Sequence, residues 1–531
     1  MPAIIKSNIR SEIAKTFYGG LQAKTTQLYF MLGREAAWAN DLLPPAPLSS
    51  GAYEVETRRD SVRFQSVSLS NVSLMAEREN WFAGVVYDMY DTRSTTVELA
   101  NAKMFVLTDD FNIYKCIFNN YGATSENKPS GVSTEYIEQP DGYVWKFMKS
   151  LSNLERTRYL TSNYMPVTDV ISAGFFDGGI ESVVIENGGT GYDAANTEFD
   201  LTSQDGSSAV IVPIITNGVI TSFVVQNQGS GYTQASIVVS TPDANQPQGT
   251  GAVITAVIGG INLETSQADV ALAAVDGEIS SIYINGVGTN YTSALTTAAI
   301  IGDGAGAIIT PIVENGGITG FSFTNRGSGY TNATIAITGD GVGFNGDVIL
   351  APEGGHGSSL VRESYADGIV AFLSDIDSAI LGVNTPDLEY RQVAMIVNPF
   401  KYGAITNSRF RGDSGTSAWL ITDPGITTAA YTVGDYLKLS GGTNELMLVA
   451  AVETGKLLLQ IKDEYVPAED DVYDKVDANS VVINSSILTV PDAITPPTVD
   501  RFSGQMLFID NRAPFKTLLN QIANIRTLIK F

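Results

Sequence analysis

Four times between Val183 and Tyr330 the chain repeats one short pattern: an apolar strand, an Asn, a few small residues, then Gly-Tyr or a near equivalent. The copies end in Asn187-Gly188-Gly189-Thr190-Gly191-Tyr192, Asn227-Gln228-Gly229-Ser230-Gly231-Tyr232, Asn285-Gly286-Val287-Gly288-Thr289-Asn290-Tyr291 and Asn325-Arg326-Gly327-Ser328-Gly329-Tyr330. Self-similarity on this scale means a repeated supersecondary unit. The tyrosines step by 40, 59 and 39 residues, the long step carrying an insertion around Leu263 to Ala274. Asn217-Gly218, Asp276-Gly277 and Asn315-Gly316 precede the later strands, and such pairs suit two-residue hairpins because both residues take positive φ. The expectation is a series of small antiparallel hairpin modules over 171–350, with the repeat turns Gly191, Tyr192, Gly231, Tyr232, Asn290, Tyr291, Gly329 and Tyr330 serving structure.

Composition marks the same stretch as distinct. It holds 29 of the 51 glycines and sixteen acids against one base, Arg326. The flanks, 1–170 and 351–531, read as one body split by the array, with Gly354 to Gly357 as the exit hinge. A net charge of −25 argues against a nucleic-acid partner, which needs a basic face. One cysteine, Cys116, excludes an internal disulfide; Met1-Pro2-Ala3 opens into polar sequence, so no signal-type leader is expected, and no apolar run is long enough to span a membrane.

The flanks are mostly strand-like. Ile9, Ile13 and Phe17 stripe a helix expected to end at Gly19-Gly20, and Leu28 to Leu32 follows as a strand. Leu42 to Pro47 is too proline-rich for regular structure. Strand character is expected at Phe82 to Tyr90, Lys103 to Leu107, Phe111 to Ile117, Tyr143 to Met148 and Tyr390 to Val397, with Ser364 to Ser374 read as helical. A three-strand meander is expected over 430–463, solvated acidic surface at Asp463 to Asp477, and a strand and turn at Ser503 to Pro514. The fold class is mainly β (α+β): a β-sandwich body with long loop excursions and an inserted β-rich repeat array.

Taken in order, the flanking segments resemble the baseplate wedge protein family known as gene product eight of T-even-like contractile-tailed phages. The resemblance rests on the Ile9 to Tyr18 helix, Tyr29 to Arg34 with Trp38, Pro44-Pro45, Arg78 to Trp81 and Tyr114-Lys115-Cys116. Its most specific parts are Pro140-Asp141-Gly142-Tyr143-Val144-Trp145, Tyr390-Arg391-Gln392 through Asn398-Pro399, and Ser503-Gly504-Gln505-Met506 through Asn511-Arg512-Ala513-Pro514. It covers 1–166 and 360–531 and leaves out the array. It implies a homodimer with a structural, non-enzymatic role in a virion tail baseplate, made in the host cytoplasm. Its partners would be other wedge proteins similar to gene products six, seven and ten, with no cofactor, metal or membrane insertion.

Other chemistry competes weakly. Gly188 to Asp193 matches a calcium-binding nonapeptide by letters, but that site needs copies about nine residues apart. His356, the only histidine, limits any Ser-His-acid arrangement to itself and reads as a loop residue. Two other classes stay open: a tail adhesin, or a polysaccharide-degrading tail protein using a carboxylate pair. The acidic array, with one strand face to bury, is expected to stand off the body as a projection with a solvated outer face.

Overall fold

The computed structural model describes residues 7–168, 179–193, 196–202, 206–230, 232, 235–241, 248–259, 267–373, 376, 379–385, 387–404, 408–442, 446–462, 465–490, 493–516 and 524–531. Strand accounts for 49% and helix for 11%, so the chain is mainly β, with antiparallel sheets throughout. Contacts group it into two compact units, one of 1–14, 74–368 and 531, the other of 15–73 and 369–530.

In the second unit a five-stranded sheet runs in the order Ser414–Thr416, Ser61–Ser66, Leu28–Gly33, Glu389–Val397, Gln505–Lys516. Tyr29, Met31, Phe64, Ala394 and Ile396 form its core. A seven-stranded sheet holds the expected meander as Tyr436–Leu439, Leu446–Glu453 and Lys456–Ile461. The acidic stretch after it is not all surface. Val472–Val476 pairs with Tyr436–Leu439, Tyr473 is fully buried, and Lys475 bonds Asp435 at 2.6 Å.

Local expectations fail elsewhere for identifiable reasons. The first helix, Ser7–Gln22, runs through both glycines. It ends where Lys24 turns left-handed (φ 55°), and a Cβ on Gly20 would stand 2.7 Å from Thr26 Oγ1. Phe82 to Tyr90 forms no strand, only a bridge from Val85 to Ser125. Instead of a helix over 364–374, a short helix Leu360–Glu363 precedes the wholly buried strand Gly368–Leu373. Ser503 to Pro514 contains no turn; the strand Gln505–Lys516 passes straight through it.

In the first unit Phe105–Leu107, Asn112–Asn119, Tyr143–Ser150 and Tyr136–Glu138 make a four-stranded sheet around Tyr114, Cys116, Tyr143, Trp145 and Phe147. The array follows as β1 (Gly179–Thr190), β2 (Glu198–Thr202), β3 (Ser207–Thr216), β4 (Val219–Ser230), β5 (Ser236–Ser240) and β6 (Thr250–Gly259). After a helix, Gln267–Leu272, come β7 (Ile279–Thr289), β8 (Thr297–Gly302), β9 (Ala305–Glu314), β10 (Gly317–Ser328), β11 (Ala333–Thr338) and β12 (Val342–Leu350).

These strands are not a row of hairpins. They nest: β1 pairs with β6, β2 with β5 and β3 with β4, and the second set repeats this as β7 with β12, β8 with β11 and β9 with β10. Each six-stranded module is therefore two long-short-long halves joined crosswise. The 40- and 39-residue steps measure one half, and the 59-residue step adds the helical connection. Only the central hairpins carry the expected turns, with Asn217 (φ 52°) and Gly218 (φ 78°), and Asn315 (φ 51°) and Gly316 (φ 79°). Asp276-Gly277 is not a hairpin, because the helix rather than a paired strand precedes it.

The second module is fastened, not projecting. Arg326 lies 4.0 Å above the Tyr136 ring and donates to the carbonyls of Ile279 and Ser280. Tyr136 donates to Glu278, and Arg93 bonds Asp347 at 2.6 Å. The array's single base thus serves its attachment. Outward positions mix polar residues such as Thr310, Thr319 and Ser322 with apolar ones, Val184, Val210, Val253 and Ile308 being about half exposed.

Candidate functional site

The repeat turns are built around glycine and tyrosine. Before each tyrosine the strand skips one residue in register, at Glu186, Gln226, Asn285 and Thr324. Three residues past each skipped position, a glycine (Gly189, Gly229, Gly288, Gly327) takes positive φ, a conformation that suits it best. Asn187, Asn227 and Asn325 accept the N–H of that glycine at 2.9, 3.1 and 2.8 Å, the Asx bond that explains the motif Asn. A Cβ on each of these glycines would meet its tyrosine ring at 2.6–2.8 Å. From the other side Gly249, Gly206, Gly341 and Gly304 close on the rings of Tyr192, Tyr232, Tyr291 and Tyr330. Every ring is clamped between two glycines, and all four tyrosines are buried. Gly191, Asn290 and Gly329 all have positive φ, so Asn290 replaces glycine where Asn is the best substitute; Gly231 lies outside the described residues.

The residues that carry the family resemblance also meet partners. In the first unit Asp141 accepts from the N–H groups of Glu126, Asn127 and Tyr143, Gly142 turns at φ 82°, and Tyr143 stacks on Trp145 at 5.5 Å. In the second unit, segments distant in sequence converge. Arg391 grips Asp41 through Nε and Nη2, and Trp38 donates to the Arg512 carbonyl at 3.0 Å. Asn511 accepts from Gln392 at 2.8 Å and donates to the Pro45 carbonyl at 2.8 Å. Arg512, Ala513 and Pro514 bulge opposite Arg391, where the missing Pro514 N–H costs no ladder bond. Asn398, left-handed at φ 52°, accepts from the Gln27 N–H at 2.9 Å, and the Pro399 carbonyl accepts from Phe410 at 2.7 Å.

A third cluster was missed by sequence reading. His356 does sit on a turn, between the strand ending at Leu350 and the helix Leu360–Glu363, but it is fully buried there, with Nε2 2.8 Å from Ser280 Oγ and Nδ1 3.0 Å from Lys115 Nζ. Lys115, also fully buried, lies 2.7 Å from Glu363 Oε2 and 4.2 Å from the Tyr90 ring centre. Glu363 Oε1 accepts from the N–H groups of Gly357 at 2.8 Å and Ser359 at 3.5 Å. Burial, then the Lys115 charge, pushes His356 down to about 3. Burial raises Glu363, but Lys115 and the hydrogen bonds outweigh it and bring the carboxyl to about 2. Burial drives Lys115 down, toward the amine. The two tendencies oppose, so the proton belongs to the pair rather than to either group. Ser280, His356 and Glu363 do not work as a hydrolytic triad. The ammonium occupies Nδ1, so the network places the imidazole proton on Nε2, facing the hydroxyl it would have to deprotonate. One sequence signal existed: Lys115 falls in phase with Ile113 and Ile117, both buried.

Compared with protein-family models and with curated proteins, the chain matches none. Among the described residues no helix is long and apolar enough to cross a membrane.

Proposed function

We propose that this chain is a structural subunit of a contractile-tail baseplate wedge, a scaffold that joins neighbouring wedge proteins and pairs with a second copy of itself. The observation that carries the reading is the convergence around Arg391 and Asn511. Arg34, Trp38, Pro45 and the stretches 390–399 and 503–514, selected by resemblance from opposite ends of the chain, hydrogen-bond to one another in one sheet and its bulge. Motifs that depend on each other in space are what a shared fold would retain.

The array has no counterpart in that resemblance, and its acidic, fastened module fits an added strut better than a substrate cleft. The test is assembly. Co-expressed with wedge proteins similar to gene products six, seven and ten, the full chain is expected to enter one complex and to sediment alone as a dimer. A chain that stays monomeric and outside the complex overturns the reading, as does cleavage of a host polysaccharide by the purified chain. Binding of the free chain to host cells without assembly would mark it as an adhesin instead.

A further inference from the structure

Lys115, His356 and Glu363 are more than a buried ion pair. An amine nucleophile lies against a carboxyl group, and a base stands 3.0 Å from the nucleophile and 3.7 Å from the carboxyl oxygen Oε2. Two backbone N–H groups, from Gly357 and Ser359, point at the other oxygen, Oε1. Ser280 fixes the far side of the imidazole, and Tyr90 packs edge-on against it at 4.9 Å. Lys115 and His356 are fully buried, and the Glu363 side chain is 1% exposed. A buried ion pair is costly to desolvate, whereas a neutral amide whose oxygen keeps the Gly357 and Ser359 N–H groups costs far less. We propose that Lys115 and Glu363 condense in the folded chain to an intramolecular amide, with His356 carrying the proton.

The step balances. Transfer of one proton along the Lys115–Glu363 hydrogen bond gives the amine and the carboxylic acid, with no change in net charge. The amine lone pair then attacks Cδ of Glu363, forming the C–N bond and placing negative charge on Oε1, where the Gly357 and Ser359 N–H groups stabilise it. His356 Nδ1 takes the surplus proton from Nζ and returns it to the departing Oε2 hydroxyl, the C–O bond breaks, and one water leaves. Nothing is oxidised or reduced. A cavity of about 230 Å³ lined in part by Tyr90, Lys115, Arg362 and Glu363 receives the water. The product ties the strand Asn112–Asn119 to the helix Leu360–Glu363, closing a covalent loop around the whole array.

The experiment is the denatured mass of the full-length purified chain. It is expected to fall short of the sequence mass by one water, with proteolysis yielding a branched peptide that joins the Lys115 and Glu363 segments. Lys115→Met and Glu363→Ala are expected to restore the full mass. His356→Gln keeps both reacting groups and is expected to slow closure roughly a hundredfold or more, the scale of a lost general base. A wild-type chain at full mass after prolonged incubation overturns the proposal, and so does a deficit that persists in Lys115→Met. Closure of His356→Gln at the wild-type rate overturns the role of the histidine. The wild-type mass is measured on unfolded protein, so that measurement tests the amide without requiring any variant to fold.

Discussion

Replacing Gly249 with alanine tests the clamp directly. A Cβ there would stand 1.9 Å from Tyr192 Cδ1 and 2.3 Å from Cγ and Cε1, with no backbone atom among its three nearest neighbours. Gly249 is not in the left-handed region, so the substitution carries no conformational penalty. Restricting the unfolded chain even favours alanine by about 0.4–1 kcal/mol. The ring must therefore leave its slot. Losing a buried aromatic costs about 3–5 kcal/mol, and the bond that Tyr192 Oη accepts from Ala252 N at 3.2 Å adds about 1 kcal/mol. Partial repacking leaves a net loss of about 3 kcal/mol.

Two separate units make global unfolding a poor readout, so the assay is amide exchange over β1 and β6, the pair that flanks the ring. At 1.4 kcal/mol per factor of ten, protection there should fall roughly a hundredfold while β7 to β12 keep theirs. Tyr192→Ala should loosen the same strands, and adding Gly249→Ala to it should change little, giving a coupling of about 2–3 kcal/mol. Exchange within a few-fold of wild type in Gly249→Ala, or additive losses in the double variant, would refute the reasoning.

Arg391→Lys loses the two-pronged grip on Asp41, a loss read as a lower urea midpoint for the second unit. As the only histidine, His356 gives one imidazole signal, and that signal should not titrate between pH 8 and pH 5; a midpoint near the ordinary value would contradict its burial. Asp303 is held below the ordinary carboxylate range by the Thr331 hydroxyl and the N–H groups of Asn332 and Thr331. Its folded pKa is depressed, so its contribution is complete above about pH 4 and is lost as pH falls toward the folded value. The stability difference between wild type and Asp303→Asn should shrink on acidification, and a difference constant from pH 6 to pH 3 would exclude this role.

What could be read from sequence was local chemistry. Asn217-Gly218 and Asn315-Gly316 announced their turns because positive φ is a property of those residues, and the 40-residue step gave the size of the repeat. The partner of each strand was hidden. A period of two tells which face a residue takes, not which strand lies beside it, and β1 and β6 are separated by four others. The same limit hid the reactive cluster, since Lys115 and Glu363 are 248 residues apart. Gly368 to Leu373 is a continuous apolar run, which periodicity assigns to neither helix nor strand. Pro514 announced a break, and the bulge opposite Arg391 absorbed it.

Nesting also keeps the two ends of each long segment together. Because first and last strands pair, Ile279 lies opposite Leu350, and the Ala351 N–H donates to the Glu278 carbonyl at 2.9 Å, so the second module starts and ends at one point. The first module repeats this, with Gly179 opposite Gly259. A row of open hairpins would separate its ends further with every copy and would force its host apart. A crosswise module adds strands only at a closed site, and loop closure rises slowly with length. Six residues after Ala351 N, at Gly357, the returning chain begins the backbone turn that holds Glu363 against Lys115. Module closure and the Lys115–Glu363 contact therefore act at the same end of the array, the first aligning the two chain segments and the second joining them.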